Sequence, residues 1–288
     1  MFAYAAQSDR RRESHGDPDK DSDARMLVSY HNHTRWSDGA PTLAGQIEGA
    51  RQAGLDELGI SDHYVMIPNG VCDWTMDLDL LGDYVLEMRS AALETRNPVL
   101  RLGLEADYFP ETIGELRDRL EPYPWDYVIG SVHYVDGFCT DSRASDWEAL
   151  SVSERNDVWR RYWQLIVELA ESRVFDFVGH LDLPKKFGYR PTIDLTESED
   201  AALNAIAAAG LAIEINTAGW SLPAGDAYPS ESLLRRAFGR HIPLVINADA
   251  HVPEFLTRGF DRARELARRV GYEYTSRYER RQRFDVTL

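Results

Sequence analysis

From residue 26 onward, short β-branched or apolar runs alternate with longer stretches of helical periodicity, the pattern of parallel strands joined by crossover helices. The strand candidates are Leu27 to Tyr30, Glu57 to Ser61, Val99 to Leu104, Asp126 to Gly130, Phe175 to Gly179, Leu211 to Asn216 and Pro243 to Asn247. Helical stretches lie around 42–53, 78–95, 111–120, 153–172, 196–209, 230–240 and 259–270. Seven β-α units predict an α/β fold closed, or nearly closed, into a barrel. One boundary shows how the pattern is read. Ala-rich residues from Ala201 favour helix, Gly210 ends it, and Leu211-Ala212-Ile213-Glu214-Ile215 begins a buried strand. No repeat of solenoid period occurs.

Residues 1–25 are crowded with acids and bases, with no large apolar residue between Tyr4 and Arg25, and cannot offset their ordering entropy by burial. They are expected to form a disordered extension, which leaves His15 without a role. Residues 26–288 are expected to form a single domain, a size that buries one sizeable core. The opening apolar stretch is too short for a signal h-region or a membrane span, so the cytoplasm is the expected compartment and no membrane partner is expected. A formal net charge of −16 disfavours a nucleic-acid partner, which would need a basic stripe. Cys72 and Cys139 stand far apart in no metal-binding or disulfide pattern.

The chemistry is positional. Strand one runs into His31-Asn32-His33, strand two into Asp62-His63, strand three into Glu105, strand four into His133, strand five into His180 and strand seven into Asp249-Ala250-His251. Barrel active sites form at that edge, and six of the eight histidines fall there. His31 and His33 are two apart, a spacing that points both imidazoles to one face of a strand. Asp38 follows in Ser37-Asp38-Gly39, where Gly39 is free to take a positive φ and turn the loop back over the mouth. Any one of these residues has an ordinary structural explanation. Their repetition at six strand ends points to a shared metal centre. His241, at the opposite end of strand seven, is read as structural.

The ordered motifs His31-Asn32-His33-Thr34-Arg35-Trp36-Ser37-Asp38-Gly39, Ser61-Asp62-His63, Gly103-Leu104-Glu105-Ala106-Asp107, Gly130-Ser131-Val132-His133, Gly179-His180-Leu181-Asp182 and Asn247-Ala248-Asp249-Ala250-His251 resemble the PHP (polymerase and histidinol phosphatase) phosphoesterase superfamily across residues 27–270. Gly130 to Tyr134, Gly179 to Phe187, and Asn216-Thr217-Ala218-Gly219 followed by Ile242 to Val245 look more like its histidinol-phosphatase branch. The last motif departs from relatives at Asn247-Ala248, where glycine-serine is common. The resemblance implies a distorted seven-stranded, TIM-like (β/α)7 barrel with three divalent ions, zinc, manganese or iron. By motif, His31, His33, Glu105 and Asp249 would hold the first ion. Glu105 would bridge to a second with His133 and His180, and Asp38, His63 and His251 would hold the third. Asp62 is expected to support these ligands or cap the following loop.

The implied reaction is hydrolysis of L-histidinol phosphate to L-histidinol and phosphate, a step of histidine biosynthesis, with Glu105, Asp249 and Arg160 in catalytic roles. Divalent ions would turn the local field positive in an acidic chain, ready for a phosphate dianion. Arg160, on the helical stretch before strand five, and Lys186, after strand five, are the candidates for phosphate contact. A nuclease or nucleotide phosphoesterase of the same family is the alternative; such branches often carry an inserted subdomain after the third strand or a fused polymerase, and neither is expected here. A catalytically silent metal-binding module would be expected to have lost ligands. An amidohydrolase would place a lysine at a strand end, and none falls there.

Overall fold

The computed structural model describes residues 26–288, so the expected extension over 1–25 and His15 lie outside the described residues. In chain order the elements are β1 (Val28–Ser29), α1 (Leu43–Ala53), β2 (Glu57–Ile60), β3 (His63–Tyr64), α2 (Leu81–Glu94), β4 (Val99–Leu102), β5 (Glu105–Asp107), α3 (Ile113–Leu120), β6 (Ile129–Ser131), β7 (Tyr134–Val135), β8 (Phe138–Cys139), α4 (Ala144–Ala149), α5 (Val152–Ser172), β9 (Phe177–Val178), α6 (Thr196–Ala209), β10 (Ala212–Asn216), α7 (Glu231–Phe238), β11 (Leu244–Asn247), α8 (Phe260–Val270), β12 (Tyr274–Glu279) and β13 (Gln282–Thr287).

Local chemistry sets the boundaries. Thr42 caps α1 by accepting from the Gly45 amide, and Gly54 ends that helix at φ 71°. Ser151 and Glu154 form a reciprocal capping box at the start of α5. Gly210, at φ 75°, turns the chain from α6 toward β10, as the sequence predicts.

The strands form a three-stranded sheet, β1-β2-β4, and a six-stranded sheet, β11-β10-β9-β6-β5-β3, with every pairing parallel. Two strand paths cross from one sheet to the other. β2 continues into β3 past Ser61-Asp62, and β4 into β5 past Gly103-Leu104. The expected closed seven-stranded barrel is therefore corrected: the described residues form an α/β fold of two parallel sheets with no continuous closed ladder. The reason lies where β1 approaches β11. There the Tyr30 amide donates to the Asn247 side chain at 2.7 Å instead of to a backbone carbonyl, and Asn32 and Ala250 make one isolated bridge. The Asn32 side chain meanwhile donates through Nδ2 to the Ser29 and Gly59 carbonyls. Side-chain amides thus take hydrogen bonds that a ladder would make.

The helices cover the sheets, and their apolar stripes join the strands in the main core. A second core lies at the N-terminal end of the parallel strands, where Tyr30, Tyr127, Phe177 and Tyr278 pack together. Tyr278 comes from the β12-β13 hairpin, an element the α/β pattern does not predict. Its tip places Arg280 and Arg281 at φ 51° and 64°, where glycine or asparagine is usual. The strain is offset by docking: both amides donate to Asp126, and the Arg281 guanidinium pairs with Asp176. Among the described residues no helix is long and apolar enough to cross a membrane.

Candidate metal centre

The C-terminal strand ends converge on one carboxylate. Glu105 opens β5, aligned with His63 on one side and Ile129 on the other, and is fully buried. Its Oε2 lies 2.9 Å from His31 Nε2, 3.0 Å from His63 Nδ1 and 3.5 Å from His33 Nε2. Its Oε1 lies 2.9 Å from His180 Nε2 and 3.6 Å from His133 Nε2. Asp249 adds a second carboxylate, 3.2 Å from His33 and 3.6 Å from His31 and His251. Asp38 stands 3.2 Å from His251 and 3.7 Å from His63.

Nine sequence-predicted residues, His31, His33, Asp38, His63, Glu105, His133, His180, Asp249 and His251, thus form one cluster. Four overlapping groups in it have donor atoms within 4.8 Å of one another: His33-Asp38-His63-His251, His31-His33-Glu105, His63-Glu105-His133 and His31-His180-Asp249.

Loop geometry brings Asp38 in. Ser37 and Gly39 amides both donate to the Thr34 carbonyl, folding the loop back. The expectation of a positive φ at Gly39 is corrected, because Gly39 is not among the positive-φ glycines. Glycine is needed there for space: a Cβ would sit 2.4 Å from the His33 carbonyl carbon. Asp62 organises the same loop, accepting from the Thr34 amide and hydroxyl and from the Ser37 hydroxyl at 2.6–2.7 Å. It does not join the cluster. Asp249 sits at φ 54°, a left-handed conformation that aspartate tolerates and that ends the strand abruptly.

The electrostatics are those of buried carboxylates held ionised by imidazoles. Burial opposes ionisation of Glu105, yet the surrounding imidazoles hold its carboxyl well below the usual range, and Asp249 behaves alike. Burial, aided by His251 and His63, pushes His33 down to about 3, which keeps its ring neutral. Both ring nitrogens of that buried imidazole lack a hydrogen-bond partner, as does His180 Nδ1. Buried lone pairs without donors, beside ionised carboxylates, suit divalent cations with mixed nitrogen and oxygen ligation. For His133 the Asp107 carboxylate outweighs the effect of burial and lifts it to about 10.

Two supporting carboxylates were not singled out by the sequence reading. Asp107 receives His133 Nδ1 at 2.7 Å and the His133 amide at 3.1 Å. Glu214, fully buried on β10, receives His31 Nδ1 and the His180 amide, both at 2.8 Å, and the Asn247 side chain at 2.8 Å. Each fixes the ring that faces Glu105, the arrangement that orients metal-binding histidines. Both left a signal. Asp107 shares a strand face with Glu105, and Glu214 is a lone acid within an apolar strand.

Asp38, His63, His133, His180, Asp249 and His251 of the cluster line a cavity of about 360 Å³, whose lining also includes Trp74, Asp141, Lys186 and Leu222. Lys186 is there as expected, donating to the Asp141 carbonyl at 2.9 Å and standing 3.3 Å from its carboxylate. Arg160 is not. The structure corrects that expectation: Arg160 lies on the outer side of α5, half exposed, paired with Asp157 one turn earlier. Arg161 is likewise engaged, by Asp136 and Glu168. The helix periodicity turns Arg160 away from the cavity it was expected to serve.

The model of the PHP domain matches residues 29–218. This chain belongs to the PHP family. A probable histidinol-phosphatase of Deinococcus radiodurans is 37% identical over 89% of this PHP chain and 98% of its own length. The Bacillus subtilis histidinol-phosphatase is 26% identical over 73% of this chain and 87% of its own. Among solved structures, Lactococcus lactis histidinol phosphate phosphatase, in complex with zinc, L-histidinol and phosphate, superposes with a TM-score of 0.77 at 20% identity, over 90% of this chain and 99% of that one. That likeness shows the fold: an α/β PHP architecture built on parallel strands.

Proposed function

We propose that this PHP protein is a metal-dependent phosphomonoesterase that hydrolyses L-histidinol phosphate to L-histidinol and phosphate. The observation that carries the reading is the cluster around Glu105, five imidazoles about one buried carboxylate, three of them also lining a cavity sized for a small molecule. The naming of the Deinococcus and Bacillus relatives supports the substrate, and the Lactococcus complex supports both ligand and metal class.

His31, His33, Glu105 and Asp249 would hold one divalent ion, Glu105 with His133 and His180 a second, and Asp38, His63 and His251 a third. Zinc is the favoured metal on the Lactococcus precedent, and the ligand set also accepts manganese or iron. Bound ions supply Lewis-acid neutralisation of the phosphoryl group and activation of a water nucleophile.

The chain's own residues do the positioning. Glu214 and Asp107 hold His31 and His133 in the tautomers that direct Nε2 at Glu105. Lys186, lining the cavity beside Asp141, is the phosphate contact this reading keeps, and Arg160 is dropped. Trp74 packs its edge against His63 and His133 and narrows solvent access to them.

The test is phosphate release by metal-reconstituted protein across a substrate panel. L-histidinol phosphate should turn over far faster than p-nitrophenyl phosphate or a 5′-nucleotide. Equal or greater turnover of the nucleotide would contradict the proposed substrate.

A further inference from the structure

The reading above leaves the non-phosphate end of the substrate without a partner. The cavity is lined by three aspartates, of which Asp38 and Asp249 belong to the metal cluster. Asp141 does not. It is the remaining carboxylate on the wall, and Lys186 is the cavity's one lysine or arginine side chain. In the substrate-free protein these two neutralise each other at 3.3 Å. A substrate carrying both a phosphate dianion and an ammonium presents complementary charges to both members of that pair.

Asp141 is also held in place. Its neighbour Thr140 donates both its amide and its hydroxyl to the His133 carbonyl, at 2.8 and 3.0 Å, and its carbonyl receives Trp147 Nε1 at 2.8 Å. Trp147 is fully buried between Phe138 and Tyr189. The loop backbone is therefore fixed relative to His133, the candidate ligand that starts this loop, and the Asp141 carboxylate accepts from Cys139 Sγ at 3.2 Å. Its side chain keeps about a quarter of its surface exposed. In the same cavity lining, Leu183, Leu222 and the indole of Trp74 give apolar and aromatic surface for a planar ring.

We propose that Asp141 is a specificity-determining residue that binds the α-ammonium of a phosphorylated amino alcohol, with Trp74 and Leu222 flanking its heteroaromatic ring. This inference rests on the proposed phosphomonoesterase reading. On binding, the ammonium replaces Lys186 at the Asp141 carboxylate and leaves the lysine free to face the phosphate. An internal ion pair of purely structural use would give no preference for an amine in the substrate.

The discriminating comparison uses two esters, L-histidinol phosphate and its amine-free counterpart, 3-(imidazol-4-yl)propyl phosphate, with zinc-loaded full-length enzyme. A charge-assisted hydrogen bond predicts a wild-type preference for the amine-bearing ester of roughly 30-fold in kcat/KM, expressed mainly in KM. Asp141→Asn should collapse that preference to about threefold or less, and Asp141→Glu should restore part of it. Equal losses on both esters, or a wild type indifferent to the amine, overturn the inference. Should the variants fail to fold, product inhibition of wild type decides: L-histidinol must inhibit more tightly than 3-(imidazol-4-yl)propanol, and equal inhibition overturns the assignment. A wild type that cleaves both esters equally sinks this inference alone, whereas one that cleaves neither sinks the substrate reading as well.

Discussion

Two buried glutamates, at opposite ends of the parallel strands, meet different fates. Glu57, 2% exposed at the start of β2, is clamped by Arg101, whose Nη2 and Nε reach its oxygens at 2.6 and 3.1 Å. Arg277 from the C-terminal hairpin adds a contact at 3.4 Å, and the Tyr30 hydroxyl donates to it. Glu105, wholly buried at the other end, has no lysine or arginine within ion-pair distance among the described residues. Its partners are imidazoles, one of them held neutral by burial. The first carboxylate is neutralised by fixed cations of the chain, the second by imidazoles, side chains that are also metal ligands. A buried charge must be paired, and the end whose partners are imidazoles rather than guanidinium groups is the one suited to divalent cations.

The largest effect is expected from Glu105→Gln. Loss of one carboxylate shared by five imidazoles should lower kcat/KM for L-histidinol phosphate by roughly 1,000-fold and reduce bound metal, with the circular dichroism spectrum retained. Unchanged metal content in that variant would remove Glu105 from the centre. Glu57→Gln should do the opposite. It leaves Arg101 without its main partner and should cost about 3 kcal/mol of stability, a fall of about 10 °C in Tm, while metal content holds. A loss of bound metal there would blur the division between the two ends.

Glu214→Gln sharpens the contrast from within the mouth. Weakening the hold on His31 and on the His180 amide should reduce metal affinity or activity by about 10- to 100-fold, less than loss of Glu105 itself. An effect as large as that of Glu105→Gln would make Glu214 more than a support. Arg160→Ala is the smallest case. Paired only with Asp157 on the outer side of α5, it should change kcat/KM by less than about twofold, and a large loss would restore it to the phosphate site.

The mouth was more legible in sequence than the opposite end because its residues sit at fixed points of a repeating pattern. Six of the seven apolar runs end in a histidine, aspartate or glutamate, so strand direction alone brings His31, His63, Glu105, His133, His180 and Asp249 together. Arg160 was misplaced for a complementary reason: on a long helix, a shift of one or two residues moves a side chain from the inner face to solvent, and composition does not fix that rotation. Barrel closure was overstated because strand count carries no information on ladder continuity, which here yields to the side-chain amides of Asn32 and Asn247. The β12-β13 hairpin escaped because Arg280-Arg281 lacks the Asn-Gly chemistry that marks a tight turn. Its tip is held by Asp126 and Asp176, contacts more than 100 residues away in sequence.

The most direct test is a metal titration of chelator-stripped protein, reading bound ions and phosphate release from L-histidinol phosphate in the same sample. Activity should be absent in the stripped protein and return as binding approaches about three divalent ions per chain, with Tm rising alongside. Full turnover in protein carrying no divalent ion would contradict the claim that the cluster around Glu105 is neutralised by metal.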